Sequence, residues 1–291
     1  MLLGLDHAII AVRDLDAASK KLGQALGITV TPGGVHPNVG TYNAIVRFGV
    51  EYLELISVRD EAEAEASDRS RVVLESVRRG DGLLGFALGS DDIESDISEA
   101  TGRNVRLVGP ISGSRNRPDG SLMTWRQAYV GNDPYGHVLP FVIQHGSSIQ
   151  ERRRWVPPEG HDLRVTGIPV LSMAVCDLEA SIEAYRHLLG EAPEVVEEVP
   201  ALPARRARFV VGSFRVELLQ PTASTGGLAE FVRDQGDGLF MVTLAVADLE
   251  QAVSALRERG TSVGSPTPRR RAPLLDPSQT LGARFQLVKG R

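Results

Sequence analysis

With 291 residues, 42% hydrophobic and 24% charged, the chain has the composition of a globular protein able to bury a full core. Its formal charge of -5 gives neither nucleic acid nor an anionic membrane an electrostatic reason to bind, and neither is an expected partner. No apolar run approaches the ~20 residues of a membrane span. The segment after Met1 lacks the parts of a secretory signal, and a single cysteine, Cys176, excludes an intrachain disulfide, so a cytoplasmic location is expected.

In chain order, HAIIAV reads as a strand, and Asp14-Leu15 opens an amphipathic helix that closes at Gly27. The Asp suits the orphan N–H groups at the helix start and the Gly a left-handed turn at its end. NAIVRFGVEYLELI is a hairpin with Gly49 and Val50 as its turn. The pattern returns with GFALGS and a helix from Asp92 to Gly102, with VLSMAV and a helix from Asp177 to Gly190, and with MVTLAV and a helix from Asp248 to Gly260. ARFVVGSFRVELLQ is a second hairpin. Cys176 reads as a small core or strand-end residue. ITVTPGGVHPNVGT and VGPISGSRNRPDGS read as long Gly- and Pro-rich loops, either plain connectors or binding rims. HGSSIQERRRWVPPEGHD is the linker candidate, and the Arg clusters 152–154 and 269–271 read as solvated charges.

The first hairpin predicts its own faces. With the turn at Gly49 and Val50, Arg47 pairs with Tyr52, Ile45 with Glu54 and Asn43 with Ile56, while Ala44, Val46, Phe48, Leu53 and Leu55 form a purely apolar opposite face. Asn43, Arg47, Tyr52 and Glu54 are then concave. His7, Ile9 and Ala11 share that side, because Ala8, Ile10 and Val12 complete the apolar one. Trp125 and Tyr129 alternate with Gln127 in step, so Trp125 is either a wall of a ligand cavity or core.

Four such units, with Asp-Leu helix starts and hairpins ending in LEL, resemble the vicinal oxygen chelate superfamily, whose members include glyoxalase I, extradiol dioxygenases and bleomycin-binding proteins. LDHAIIAVRDLDAA with GGVHPNVGTYNAIVRF and YLELI resembles, more narrowly, the glyoxalase-like domain proteins. The resemblance implies an α+β fold: tandem βαβββ modules forming two open, curved mixed-sheet half-barrels backed by helices, with a glyoxalase-like domain at 1–147 and a degenerate one at 165–291. It also implies metal ligands on the first and last strand of each unit. His7 and Glu54 stand there, but the second unit offers only Gly85 and Pro140. In the second half Val170 and Met241 stand at the first-strand positions, and Glu217 and Gln286 at the last. Arg208 falls opposite Glu217, so a cross-strand salt bridge accounts for that carboxylate.

Two protein ligands are fewer than a tight metal site uses. A divalent metal on His7 and Glu54, helped by His36 from the Gly-rich loop, is therefore weighed against a metal-free cavity, and the metal-free cavity is preferred. The ligand is expected to be a small polar organic molecule, met by His36, Asn43, Arg47, Tyr52 and Trp125. Lyase, isomerase or dioxygenase-type chemistry would use Glu54 as base and His7 as proton donor. The alternative is sequestration without chemistry, as in the bleomycin-resistance type. A second copy of the chain is a candidate partner.

Overall fold

The computed structural model describes residues 2–156, 160–199, 201–264 and 272–290. The first part runs β1 (Leu2–Ala11), α1 (Leu15–Leu26), β2 (Thr31–His36), β3 (Thr41–Arg47), β4 (Tyr52–Val58), α2 (Glu61–Ala66), α3 (Asp68–Arg79), β5 (Gly82–Ser90), α4 (Ile93–Gly102), β6 (Leu107–Asn116), β7 (Leu122–Val130), β8 (Phe141–His145) and α5 (Ile149–Arg153). It continues with β9 (Val165–Ala174), α6 (Leu178–Leu189), β10 (Val195–Val199), β11 (Ala204–Val211), β12 (Phe214–Pro221), α7 (Gly227–Gln235), β13 (Gly238–Val246), α8 (Leu249–Glu258) and β14 (Phe285–Lys289). No helix among the described residues is long and apolar enough to cross a membrane.

Each repeated helix starts as its aspartate dictates. The carboxylates of Asp14, Asp92, Asp177 and Asp248 accept the N–H of Ala17, Ser95, Ala180 and Gln251, the N-cap geometry. α1 and α6 end at Gly27 and Gly190 in the left-handed region. α4 departs from expectation. Gly102 is its last helical residue and the left-handed turn falls on Asn104, at φ 63°, a residue type that tolerates that region.

The fold is α+β with two curved mixed sheets. In the first, the order β1-β4-β3-β2-β6-β7-β8-β5 closes on itself, one step beyond the open half-barrel of the sequence reading. Closure depends on β2, which touches β6 at the pair Val35 and Asn116. A Cβ on Gly34 would lie 2.0 Å from the Asn116 carbonyl oxygen, so only glycine lets the strands meet. The second sheet stays open, in the order β10-β11-β12-β9-β13-β14.

Both segments read as long loops contain strands: the first supplies β2 and the second supplies most of β6, which pairs along β7. Gly33 in the first and Gly109 and Pro110 in the second sit at register shifts, between Pro32 and Gly34 and between Val108 and Ile111, where a ladder tolerates them. The hairpin register is as the alternation predicts: Arg47 with Tyr52, Ile45 with Glu54, Asn43 with Ile56. Ala8, Ile10, Val12, Ala44, Val46, Leu53 and Leu55 join the α1 side of the core.

The concave side is not left to side chains alone. α3 packs Val73, Leu74 and Val77 against Ile9, Ala11, Ile56 and Phe141, so this helix fills one end of the barrel. Its polar sequence hides it, yet Ser67 caps it by accepting from the Ser70 N–H. The linker candidate also holds a helix, α5, and Arg152 on it is buried against Asp6 rather than solvated. Arg269 to Arg271 lie outside the described residues. The largest apolar cluster spans both sheets, from Ala8 and Phe86 to Phe214 and Leu287.

Candidate functional site

β1 carries a bulge. Its pairing with β5 slips between Leu5 and His7, so the consecutive residues Asp6 and His7 reach one buried network instead of opposite faces. His7 stacks on its register neighbour Tyr52, ring centroids 4.6 Å apart, and Phe141 of β8 meets it edge-on at 5.5 Å. Nδ1 of His7 lies 2.8 Å from Asp6 Oδ1, and Nε2 lies 3.3 Å from Glu54 Oε2.

Asp6 also receives His145 Nε2 at 3.1 Å and Arg152 Nη1 at 2.7 Å. Burial alone would raise its carboxyl, but His145 and His7 outweigh burial and hold it well below the usual range. An ionised Asp6 requires the proton on His7 Nδ1, which turns Nε2 toward Glu54. Glu54 follows the same logic: burial raises it, while His7, His36 and the Asn43 amide, donating at 2.6 Å, bring it below its ordinary value. With Nδ1–H committed to Asp6, His7 and Glu54 can hold one further proton between Nε2 and Oε2.

Asn43 links this pair to the rest. Its Oδ1 accepts from Arg115 Nη1 at 3.2 Å. Its Nδ2 also lies 3.4 Å from His36 Nε2, while His36 Nδ1 meets Thr41 Oγ1 at 2.8 Å. Burial is the main reason that the His36 imidazole is pushed down to about 4; it is neutral at pH 7, Nδ1–H donating to Thr41 and Nε2 accepting from Asn43. His36 is presented by the end of β2, not by a loop.

His7, His36, Asn43, Tyr52, Glu54 and Trp125 line one inner cavity of about 30 Å³, room for about two waters. It adjoins an outer cleft of about 840 Å³, and His36, Arg69, Trp125 and His145 line both. Arg47 is not brought to this cavity. It is buried against the Tyr52 and Trp155 rings, 4.9 and 5.2 Å away, and burial lowers its guanidinium to about 10. Trp125 donates Nε1–H to Gln127 Oε1 at 3.0 Å.

The register identifies the second unit's counterparts. Ile9 pairs with Glu54, and its equivalent Ala87 pairs with Phe141, so Phe141 rather than Pro140 stands at the last-strand ligand position. A Cβ on Gly85 would fall 2.1 Å from the Tyr135 carbonyl oxygen, which leaves no room for a ligating side chain. Among the described residues no three His, Cys, Asp or Glu side chains are grouped to hold a metal ion, and Arg115 already places a fixed cation near Glu54. The donor set does not fit the three- or four-ligand metal centre of the usual kind.

In the second half, Ser172 pairs with Glu217 and Thr243 with Gln286. Glu217 accepts from Arg208 at 2.8 Å and Arg206 at 2.9 Å, the cross-strand bridge expected of it. Cys176 is exposed at the end of β9, and its hydrogen bond to Asp237 pushes the thiol up to about 11.

Sequence reasoning missed Asp6, Arg69, Arg115, His145 and Arg152. Two signals were readable: an Asp beside His7 within an apolar strand, and His145 in step with Phe141 and Ile143. Arg115 was hidden by the Gly- and Pro-rich run around it.

Residues 5–189 match the family model described as "Glyoxalase-like domain", and residues 171–273 match that of the "Glyoxalase/Bleomycin resistance protein/Dioxygenase superfamily". A comparison with curated proteins found no match. Among solved structures, a hypothetical protein from Staphylococcus aureus is 17% identical and covers 99% of this chain and 100% of its own, with a TM-score of 0.70. A mutant of 4-hydroxymandelate synthase from Streptomyces coelicolor is 15% identical over 100% of this chain and 94% of its own, with a TM-score of 0.67. At these identities the likeness is one of fold.

Proposed function

The chain belongs to the glyoxalase-like domain family, and from that premise we propose that it binds a small polar organic molecule in the cleft of the first half and moves a proton on it with Glu54 and His7. The observation that carries this is the buried His7–Glu54 pair in the inner cavity that adjoins an outer cleft of about 840 Å³. In this reading Glu54 takes the proton from a carbon next to a carbonyl, and His7 Nε2 gives one to the carbonyl oxygen, leaving an enol that returns by the reverse transfer. Asp6 keeps the imidazole oriented, and Arg115 favours the developing negative charge. The metal-ligand positions of the superfamily are half filled, so no step is routed through a metal.

A second reading has its own observation. The inner cavity of about 30 Å³ is too small for a reacting centre without movement of Trp125 or Arg69, which favours a protein that holds its ligand in the outer cleft without chemistry.

The two are separated by NMR in D2O with pyruvate, 3-phenylpyruvate and benzoylformate methyl ester as probes, the last having no exchangeable α-hydrogen. Enzyme-dependent deuterium entry at C3 of the first two, the carbon next to the ketone, lost in Glu54→Ala, supports proton transfer. Binding without exchange supports sequestration. Both His7→Ala and Glu54→Ala are expected to weaken binding by about tenfold or more, the cost of stranding buried polar groups; unchanged affinity in both returns the pair to a structural role.

A further inference from the structure

The outer cleft has a chemical bias that the His7–Glu54 pair does not explain. It is lined by Arg69, Arg126, His36 and His145, with no Asp or Glu among its lining residues, in a chain whose net charge is -5. Arg126 is neutralised by Glu94. Among the described residues, Arg69 has no carboxylate within ion-pair distance; its guanidinium lies 5.2 Å from the Tyr135 ring centroid.

Four buried side-chain groups on this lining have no hydrogen-bond partner among the described residues: Arg69 Nε, Ser70 Oγ, Gln127 Nε2 and His145 Nδ1. Gln127 and Ser70 are fully buried, and the Gln127 carbonyl oxygen is already taken by Trp125, so its amide can only donate. A buried donor without an acceptor is costly, and native proteins retain few of them. What satisfies such a set is an acceptor-rich group of negative charge. Next to it the cleft turns apolar, with Ile111, Leu122, Trp125 and Tyr129.

We propose that the outer cleft is a carboxylate site, and that the molecule taken is an organic acid whose carboxylate is held by Arg69, Gln127 and Ser70 while its apolar body lies along Trp125 and Tyr129. One uncompensated guanidinium with two neutral donors matches the single charge and the two oxygens of a carboxylate. A phosphate monoester, near two negative charges at pH 7, would leave one charge unmatched. This rests on the previous reading only for which end of the molecule faces Glu54.

The test is calorimetric titration of the whole chain with benzoate, 3-phenylpropionate, methyl benzoate and phenyl phosphate. The acids are expected to bind at least about tenfold more tightly than the ester, the scale of a charge-assisted hydrogen bond. Arg69→Gln is expected to remove that preference while leaving the ester's weak binding unchanged. Equal affinity for acid and ester, tighter binding of phenyl phosphate, an undiminished preference in Arg69→Gln, or no binding of either acid would each overturn the proposal. Failures are distinguishable, because Glu54→Gln is expected to retain the acid preference. Acid binding by the unaltered chain with no deuterium entry into 3-phenylpyruvate sinks the proton-transfer reading alone.

Discussion

At the scale of single residues, the barrel floor is a chain of linked polar groups: Arg152 to Asp6, Asp6 to His7 and His145, His7 to Glu54, Glu54 to Asn43, and Asn43 to His36 and Arg115. Each charge there is tolerated only because its neighbour is present, and that links folding to pH. His36 is depressed from 6.5 to about 4, so the unfolded chain binds its proton first. The stabilisation is complete above pH 6.5 and is lost as pH falls through about 4, amounting to about 3 kcal/mol at ~1.4 kcal/mol per unit. His145 is lowered by burial in the same sense. Urea unfolding at pH 7, 5 and 4 is expected to show a shallower pH dependence in His36→Gln than in the unaltered chain. Equal slopes would mean that His36 is not buried neutral.

At the scale of elements, the sequence patterns were strongest where local chemistry alone sets the structure. The aspartate caps and the register of the β3–β4 hairpin follow from residues close in sequence. β2 and β6 follow from the opposite situation, since their glycines deny them any local preference and only the closing of the barrel makes them strands. Gly34→Val therefore tests the closure: with φ at 138° and the Asn116 oxygen 2.0 Å from the new Cβ, the expected cost is at least about 2 kcal/mol. Gly82→Ala, where nothing lies within 4 Å of the added atom, is expected to change stability by less than about 0.5 kcal/mol. Equal effects would show that the β2–β6 contact does not govern the barrel.

At the scale of the whole molecule, the two sheets share their core. Phe86 faces Phe214 with ring centroids 6.3 Å apart, Tyr185 donates to the Val138 carbonyl at 2.8 Å, and Arg103 donates to the last carbonyls of α6. The division at 1–147 and 165–291 is accordingly proposed as one of repeat organisation, not of independent folding. Both tryptophans, Trp125 and Trp155, lie before β9, so their fluorescence reports the first half while far-UV circular dichroism reports both. Coincident urea transitions are expected from the two signals. Separate midpoints would make the halves autonomous.

The sequence by itself determined the four aspartate-capped helices and the register of the first hairpin, because period-2 alternation and capping are properties of a few consecutive residues; the α+β class and the pairing of His7 with Glu54 were legible through the family resemblance. The tertiary structure alone decided the rest. Asp6 joins the site through a bulge whose partner strand is β5; Arg152 reaches it from a segment with every local mark of a linker; Arg69 arrives on a helix whose polar sequence gives no sign that it fills the barrel; and Phe141 replaces Pro140 by a register set in β5. Each of these is a pairing between residues far apart in the chain, and no local preference encodes such a pairing until the barrel has closed.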